Sequence, residues 1–269
     1  MLISVIVITY NRPDALAAVL EGLLAQTDRD FEVVVADDGS TADTARRIAE
    51  YQAVARFALR HVWQEDRGFR AAAARNRALA ACRGEYVVML DGDCVPAADF
   101  VAAHRRLAEP GWFLSGNRVL LSRPFTEQAL RERLPLHRWG AGRWLAARLA
   151  GRVNRLLPLL RLPDGGFRKR MPRRWEGVKT CNLSAWQSDL ARVNGLDERY
   201  SGWGLEDSDL VVRLIRAGVG RKSARFAAPV FHLWHPEQDR SGLAENRRNL
   251  EAILHSDEIR AARGLGQYL

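Results

Sequence analysis

Cysteine is scarce in this chain, with 3 among 269 residues and no pair in CxxC spacing. An odd number of cysteines without that spacing argues against a disulfide framework and against a structural zinc site. We therefore expect a reduced, cytosolic compartment.

Long apolar runs are also missing. No window approaches the roughly 18 uninterrupted apolar residues of a membrane-spanning helix. The chain begins with a short strand-like run, Leu2–Ile8, rather than with a basic leader and a cleavage site. These features predict a soluble or peripheral protein without a signal peptide.

Two common phosphate-binding loops are absent as well. No GxGxxG turn follows the first apolar run, and the chain has no GxxxxGKS or GxxxxGKT loop. The phosphate grip of dinucleotide enzymes and of P-loop NTPases is therefore excluded, and a bound metal would have to replace it.

Positive charge is concentrated in one segment. Residues 131–174 contain thirteen Arg and Lys and two acids, a local charge of +11, within a chain of net charge +9. By subtraction, the remainder carries about −2. The basicity belongs to this segment rather than to the fold.

Apolar strands and helical patterns alternate at short intervals up to residue 112, which indicates an α/β fold with a mainly parallel sheet covered on both faces. Predicted strands are 2–9, 31–36, 57–62, 86–90, 113–121, 181–185 and 226–231, and predicted helices are 13–26, 43–51, 69–81, 97–108, 131–160, 206–217 and 245–263. We expect one domain, 1–269, with a nucleotide-binding half (about 1–122), a basic helical insertion (125–177), an acceptor and catalytic half (178–243) and a C-terminal helix (244–264).

Polar clusters follow several apolar strands, and in a parallel sheet all of them can lie along one edge. The most informative is Asp91-Gly92-Asp93. Extended residues at i and i+2 point to one side, so the two carboxylates can converge on a divalent cation that holds a phosphate. Asp-Gly-Asp also forms ordinary turns, and that alternative stands beside the metal site.

Several strings resemble family-2 glycosyltransferases with the GT-A-type nucleotide-sugar fold. The strings are Ser4–Arg12 (SVIVITYNR), Val34–Ser40 (VVADDGS), Gly68–Asn76 (GFRAAAARN), Asp91–Asp93 (DGD), Cys181–Ser184 (CNLS) and Gly202–Asp209 (GWGLEDSD). The last string is similar to a signature of β-1,4-galactosyltransferases and chondroitin-polymerase-like enzymes. The insertion at 125–177 lies outside the resemblance.

The resemblance implies a donor site for a nucleotide sugar. Thr9 and Asp38, helped by Asp37, would hold uridine; Gly68 and Arg75 would lie near the nucleotide and its phosphates; and Asp91 would lie by the ribose. Further expected donor contacts are Tyr10, Asn11, Arg12, Gly92, Trp203 and Gly204.

The resemblance also implies a site for Mn²⁺ or Mg²⁺. Asp93 would ligate the metal, with Asp91 as a less certain helper, and a histidine after the last strand would complete the site. His232 and His235 are both available, and His232 is preferred because it directly follows the apolar run. One of the pair could instead satisfy a backbone carbonyl.

The acceptor half is expected around residues 202–209. By resemblance, Asp207 would be the general base, Glu206 would bind the acceptor or the donor sugar, and Trp203 would offer an apolar face to a sugar, with Asn182 as a further acceptor contact. The alternative is that the two acids only complement a helix N-terminus and that Trp203 belongs to the core.

The charged part of the basic insertion, residues 131–174, has three interpretations. Arg interleaved with Trp and Leu can lie on an anionic membrane surface, bind a phosphorylated or acidic glycan, or form a solvated helical face whose apolar side packs on the domain. Nucleic acid is a weaker partner because no recognised motif accompanies the charge.

Together these features predict a metal-dependent, inverting transferase that uses a UDP-sugar, with UDP-Gal or UDP-GalNAc as first choice. Its acceptor would be a bacterial surface glycan or a lipid-linked glycan at the cytoplasmic face of the membrane. The alternatives are a transferase for a soluble or protein acceptor and a non-catalytic module that binds nucleotide sugars or anionic glycans.

Overall fold

A computed structural model describes residues 1–237 and 239–269. Its strands are β1 (Ile3–Thr9), β2 (Phe31–Asp37), β3 (Leu59–Trp63), β4 (Tyr86–Asp91), β5 (Cys94–Pro96), β6 (Trp112–Ser115), β7 (Asn117–Leu120), β8 (Asn182–Trp186), β9 (Gly220–Ser223) and β10 (Pro229–His232). Its α-helices are α1 (Pro13–Leu24), α2 (Ala42–Gln52), α3 (Ala71–Ala81), α4 (Phe100–Leu107), α5 (Arg123–Arg131), α6 (Ala141–Leu149), α7 (Gln187–Arg192), α8 (Glu206–Arg216) and α9 (Leu243–Leu254).

The central sheet confirms the predicted mainly parallel α/β architecture. Its order is β3-β2-β1-β4-β8-β6-β9, and β8 alone runs antiparallel to its neighbours. The first four strands in sequence therefore end at one edge, where ligands of parallel sheets gather.

Both faces of the sheet are covered by apolar packing. Along β1, Val5 and Val7 belong to one buried cluster and Ile6 belongs to the other. Alternate residues of a strand point to opposite faces, so the continuous apolar run of β1 supplies both cores. Each such aliphatic side chain stabilises the fold by about 1.5–3 kcal/mol when fully buried.

A second, three-stranded sheet has the order β5-β10-β7. It begins one residue after Asp93, and the register pairs Cys94 on β5 with His232 on β10. This pairing brings the end of the chain's last strand beside the Asp91–Asp93 turn. Two segments that are far apart in sequence thus meet at one edge.

The predicted helix over 131–160 is wrong. The segment instead contains the end of α5, the short helix α6, and 3₁₀ turns at Leu136–Arg138 and Leu157–Leu159. Pro135 precedes the first turn and Pro158 lies within the second, and proline removes the amide donor that a continuous helix needs. The apolar periodicity came from separate short elements.

Other elements also differ from the prediction. The predicted strand 113–121 is divided into β6 and β7, which belong to different sheets. The C-terminal helix α9 ends at Leu254 rather than near residue 263, and the last strand is shorter than 226–231 and includes His232. Within the described residues, no helix has the length and apolar character needed to cross a bilayer.

Candidate active site

Polar side chains converge at the carboxyl edge of the central sheet. The register places Thr9 opposite Asp37 and Ile8 opposite Asp91, so the ends of β1, β2 and β4 are level. Gly92 donates its backbone N–H to the Ile8 carbonyl at 2.7 Å, and a Cβ at this position would lie 2.6 Å from that oxygen. Gly92 therefore lets the turn pack against β1.

A cavity of about 770 Å³ opens at this edge. Most of the sequence-predicted site residues line it: Thr9, Tyr10, Asn11, Arg12, Asp38, Arg75, Asp91, Gly92, Asp93, Trp203, Gly204, Glu206, Asp207, His232 and His235. Asp37, Gly68 and Asn182 are not among the lining residues.

Asp38 anchors the end of the cavity nearest β2. It is buried and accepts hydrogen bonds from the Gln64 side chain at 2.6 Å and from the Arg70 backbone N–H at 2.8 Å. Burial raises the pKa of Asp38 above its usual value, although these hydrogen bonds oppose the shift. The hydroxyl of Thr9 is also buried and has no partner among the described residues, so it remains available to a ligand.

Asp37 has a structural environment instead. Its carboxylate contacts the His61 ring at 2.8 Å and accepts the Ser40 backbone N–H at 2.8 Å. These contacts occupy its oxygens and hold the turn after β2, so direct contact with uridine is not supported by its placement. Gly68 lies in the loop before α3, with a positive φ of 80° that glycine readily adopts.

Arg75 joins the two halves of the site. From α3 it reaches Asp91 at 2.9 Å and Glu206 at 3.2 Å, although these acids are 115 residues apart in sequence. The guanidinium is buried, and its charge is compensated first by Asp91 and then by Glu206. Arg75 thus bridges two carboxylates rather than standing free for phosphates.

Both histidines face Asp93. The His232 ring lies 3.7 Å from one Asp93 oxygen, and His235 Nε2 lies 3.3 Å from the other. His235 Nδ1 lies 2.7 Å from the Pro236 carbonyl and donates to it, so Nε2 is the ring atom through which a metal would bind. Metal-binding histidines commonly have this arrangement.

These groups fit a hard divalent cation. The Asp93 carboxylate is a ligand that suits Mn²⁺ or Mg²⁺, and an imidazole adds a nitrogen ligand of the kind that transition metals bind. The nearest sulfur is Cys94, whose thiol donates to Asp93 at 3.6 Å, and burial followed by the neighbouring Cys181 raises its pKa well above the usual value. Two cysteines lie near the turn, since Asp91, Cys94 and Cys181 have ligand atoms within 4.8 Å of one another. None of the three cysteines of the chain forms a disulfide.

Glu206 and Asp207 are the first two residues of α8, and both line the cavity. Leu205, which precedes them, has a left-handed φ of 78°, an uncommon conformation for a residue with a branched side chain. Asp207 is buried, accepts the Ser208 backbone N–H at 2.8 Å, and lies 3.3 Å from Lys179 Nζ. Asp207 therefore pairs with the exposed amine of Lys179, and Glu206 pairs with the buried guanidinium of Arg75.

Glu206 has an unusual affinity for protons. Burial, and then the nearby charge of Asp207, raise its pKa to about 7, while Arg75 opposes the shift. The neutral form is therefore favoured by folding. The ordinary pKa of a glutamate is 4.5, so between pH 4.5 and about pH 7 Glu206 keeps a proton in the folded chain that it has released in the unfolded chain.

Glu206→Gln should consequently gain stability relative to the wild type as pH rises. At about pH 5 the free energies of unfolding of the variant and the wild type should be nearly equal. At about pH 8 the free energy of unfolding of the variant should exceed that of the wild type by at most about 3 kcal/mol. Denaturant unfolding at both pH values measures this. Exposed Glu50→Gln is the control, and a Glu206→Gln difference that does not change with pH would contradict the assignment.

The loop before α8 is fixed by a residue that the sequence did not single out. Buried Asn246 on α9 donates to the Ser201 and Gly204 carbonyls, each at 3.0 Å. Trp203 within this loop lines the cavity and contacts the Arg240 guanidinium, which lies 4.9 Å from the ring centroid. Trp203 is thus a wall of the cavity rather than a core residue.

Asn182 requires a correction as an acceptor contact. It is 1% exposed, and its side chain bonds to the Ala228 carbonyl at 2.7 Å, the Asn117 carbonyl at 3.1 Å and the His104 ring at 3.2 Å. These bonds join the central sheet to its neighbours. The predicted strand 181–185 includes Asn182, but a strand residue can face the solvent or the interior, so the pattern did not decide its burial.

Arg118 is the most informative residue that the sequence missed. It lines the cavity from β7, and its guanidinium lies 4.0 Å from Cys181 Sγ. Burial disfavours its charge, yet the nearby Cys181, Cys94 and the two acids of the Asp91–Asp93 turn raise its pKa. Among the described residues it forms no ion pair.

Lys179, Trp234 and Arg240 also line the cavity without having been predicted.

Two family models match the chain. The first, glycosyl transferase family 2, covers residues 4–152. This is more than half of the chain and includes the strands that form the carboxyl edge. The chain belongs to glycosyl transferase family 2. The second model, described as the N-terminal domain of galactosyltransferase, covers residues 166–236 of this family-2 chain and includes Trp203 to Asp207.

Curated relatives agree with the family assignment. Validoxylamine A glucosyltransferase of Streptomyces hygroscopicus subsp. jinggangensis is 33% identical over 85% of this chain and 56% of the relative. Hyaluronan synthase of Pasteurella multocida is 30% identical over 80% of this chain and 23% of the relative, and chondroitin synthase of Escherichia coli is 27% identical over 96% and 38%. The chain thus spans about half or less of the length of these relatives.

Solved structures confirm the GT-A-type fold. The mannosyltransferase PcManGT from Pyrobaculum calidifontis, in complex with GDP-Man and Mn²⁺, has a TM-score of 0.64 at 22% identity, over 94% of this chain and 64% of that chain. S. aureus TarS 1-349 in complex with UDP has a TM-score of 0.61 at 16% identity, over 100% and 68%. The similarity covers nearly the whole of this family-2 chain.

Proposed function

We propose that this chain is a metal-dependent, inverting glycosyltransferase that takes a hexose or N-acetylhexosamine from a UDP-sugar. The observation that carries the proposal is that one cavity is lined both by Asp93, with its two histidines, and by Asp207. One group of residues can hold a metal and a diphosphate, and the other can activate an acceptor. Family membership and the nucleotide sugars named with the neighbouring folds support this division.

The donor would lie along the carboxyl edge. Asp38 and Thr9 would accept or donate hydrogen bonds to the uridine, and Asp91 would contact the ribose while Arg75 orients it. Asp93 with His235, and with His232 as the second candidate, would hold Mn²⁺ or Mg²⁺. When bound, the cation would stabilise the charge of the departing diphosphate.

Arg118 would also help the diphosphate to leave. Arg118 has no acidic partner among the described residues and lies close to the Asp91–Asp93 turn, so its guanidinium can meet a diphosphate oxygen. Preorganised positive charge at a developing anion is a large catalytic contribution in a site shielded from water.

Asp207 would serve as the general base. The acceptor hydroxyl gives its proton to this carboxylate as its oxygen attacks the anomeric carbon, and the bond to the diphosphate breaks on the opposite face. A single displacement of this kind inverts the anomeric configuration. Trp203 would present an apolar face to a sugar ring, and Glu206, held by Arg75, would contact the acceptor or the donor sugar.

The acceptor proposed is a bacterial surface glycan or a lipid-linked glycan, built at the cytoplasmic face of the membrane. Gly202–Asp209 is the segment that we propose binds the acceptor. UDP-Gal or UDP-GalNAc remains the first donor to try. A galactosyltransferase model over residues 166–236 supports this choice of donor.

A panel of nucleotide sugars tests the proposal. UDP-Gal, UDP-GalNAc, UDP-Glc, UDP-GlcNAc and GDP-Man are each incubated with the chain and Mn²⁺, and release of the nucleoside diphosphate is followed with and without chelator. Chelator-sensitive release from a UDP-sugar is the expected result. Binding of UDP-sugars without any release, even with glycan acceptors supplied, would favour the non-catalytic binding module instead.

A further inference from the structure

The basic insertion carries an unusual share of exposed apolar surface. Of the fifteen large apolar side chains that are exposed within the described residues, seven lie between residues 145 and 171, a tenth of the chain. Leu149 is 81% exposed and Leu157 is 65% exposed. The other five are Leu145, Leu160, Leu162, Phe167 and Met171. Scattered exposed apolar residues are ordinary, but such a concentration marks an interaction surface.

Helix α6 shows how the segment divides its apolar residues. Trp144 and Ala147 are buried, and the Trp144 ring stacks on Phe231 of β10 with centroids 4.3 Å apart. Leu145 and Leu149 are four residues apart and therefore share another side of the helix, which is exposed. The inner apolar side packs on the domain, as one interpretation of the sequence expected, but the outer leucines remain uncovered.

Basic residues are interleaved with these leucines along the chain. Of the thirteen Arg and Lys in residues 131–174, four pair with acids: Arg131, Arg161, Arg168 and Lys169. The other nine are exposed and have no acidic partner within 4.0 Å among residues 1–237 and 239–269. They are Arg133, Arg138, Arg143, Arg148, Arg152, Arg155, Arg170, Arg173 and Arg174.

This surface adjoins the cavity. Leu120 and Leu121 line the cavity, and Leu120 exchanges two hydrogen bonds with Asn154 of the insertion, at 3.0 and 3.1 Å. Arg155 donates to the Arg118 carbonyl at 3.0 Å. The insertion is thus fastened to the wall of the cavity rather than tethered loosely to it.

We propose that the insertion surface docks the chain on an anionic lipid bilayer, with the leucines entering the interface and the arginines contacting lipid phosphates. Unpaired positive charge interleaved with exposed leucine matches both properties of such a surface. A soluble polyanion would use the arginines but has no need of the leucines. The docking deepens the proposed function, since it favours a lipid-linked acceptor, but its test requires no turnover.

The test is sedimentation of the full chain with vesicles of phosphatidylcholine alone and of phosphatidylcholine mixed with phosphatidylglycerol. Binding is expected only to the mixed vesicles and should weaken with salt. Arg143→Gln/Arg148→Gln should lower the partition coefficient by roughly fivefold per arginine, the equivalent of ~1 kcal/mol each. Leu145→Ser/Leu149→Ser should lower it by at least about tenfold.

Matched controls lie on the rest of the surface. Arg247→Gln/Arg248→Gln removes the same charge from exposed positions of α9, and Val54→Ser removes an exposed apolar side chain, so both should bind like the wild type. Equal losses in the control variants, or no binding by the wild type, would overturn the proposal. So would unchanged binding of the leucine variant, because the surface would then be a general polyanion site.

Discussion

Asp207→Asn is expected to slow sugar transfer by about 10²–10⁴-fold, the range that a positioned general base contributes. Asparagine has nearly the same shape and can still accept the Ser208 N–H, but it cannot take the acceptor's proton. Metal-dependent binding of UDP should be largely unchanged, because the contacts of the Asp207 carboxylate are with Ser208 and Lys179 and not with the Asp93 group. Turnover by UDP release and binding by calorimetry measure the two effects separately.

Asp14→Asn is the matched control for Asp207→Asn. Asp14 is also an acid in the first turn of a helix, but it is exposed and lies on α1. If Asp207 merely complemented the helix N-terminus, both variants would lose a little stability and neither would lose turnover. A fully active Asp207→Asn variant would therefore remove Asp207 from the role of base.

Asp93→Asn is expected to weaken Mn²⁺-dependent UDP binding by at least about 100-fold, the upper end of what even second-shell changes at metal sites cost. The reason is that the carboxylate is the anionic group that both histidine rings face. Calorimetry with and without Mn²⁺ gives the result directly. Asp99→Asn, a half-exposed aspartate just beyond β5, is the control, and wild-type binding by Asp93→Asn would contradict the metal assignment.

The two histidines supply a comparison within the same site. His235→Ala should reduce metal-dependent binding more than His232→Ala, because His235 Nε2 lies nearer to Asp93 and its Nδ1 is fixed by the Pro236 carbonyl. Burial lowers the pKa of His232, which favours the neutral form of the ring that can bind a metal. A larger loss in His232→Ala would restore the preference drawn from the sequence alone.

The sequence predicted the elements of the nucleotide-binding half well because their signals are local. Continuous apolar runs such as β1 and β4 end in polar turns, and each run carries its own strand signal. The prediction of one helix over 131–160 was wrong because it also used a local signal. Apolar and basic residues recur there at near-helical spacing, but Pro135 and Pro158 divide the segment into short elements. Periodicity describes a face and does not say whether one helix carries it.

Asp91-Gly92-Asp93 and the His232/His235 pair could be chosen from the sequence because carboxylates and imidazoles after apolar runs stand out by type and place, whereas Asp207 was chosen through the resemblance of the Gly202–Asp209 string. Tertiary structure alone decided their partners. Pairing of β10 with β5 brings both histidines to Asp93, and the fold lets Arg75 bridge Asp91 and Glu206 across 115 residues. Strand pairing and burial depend on residues distant in sequence, so no local pattern could have shown that Asn182 is buried or that Arg118 faces the cavity.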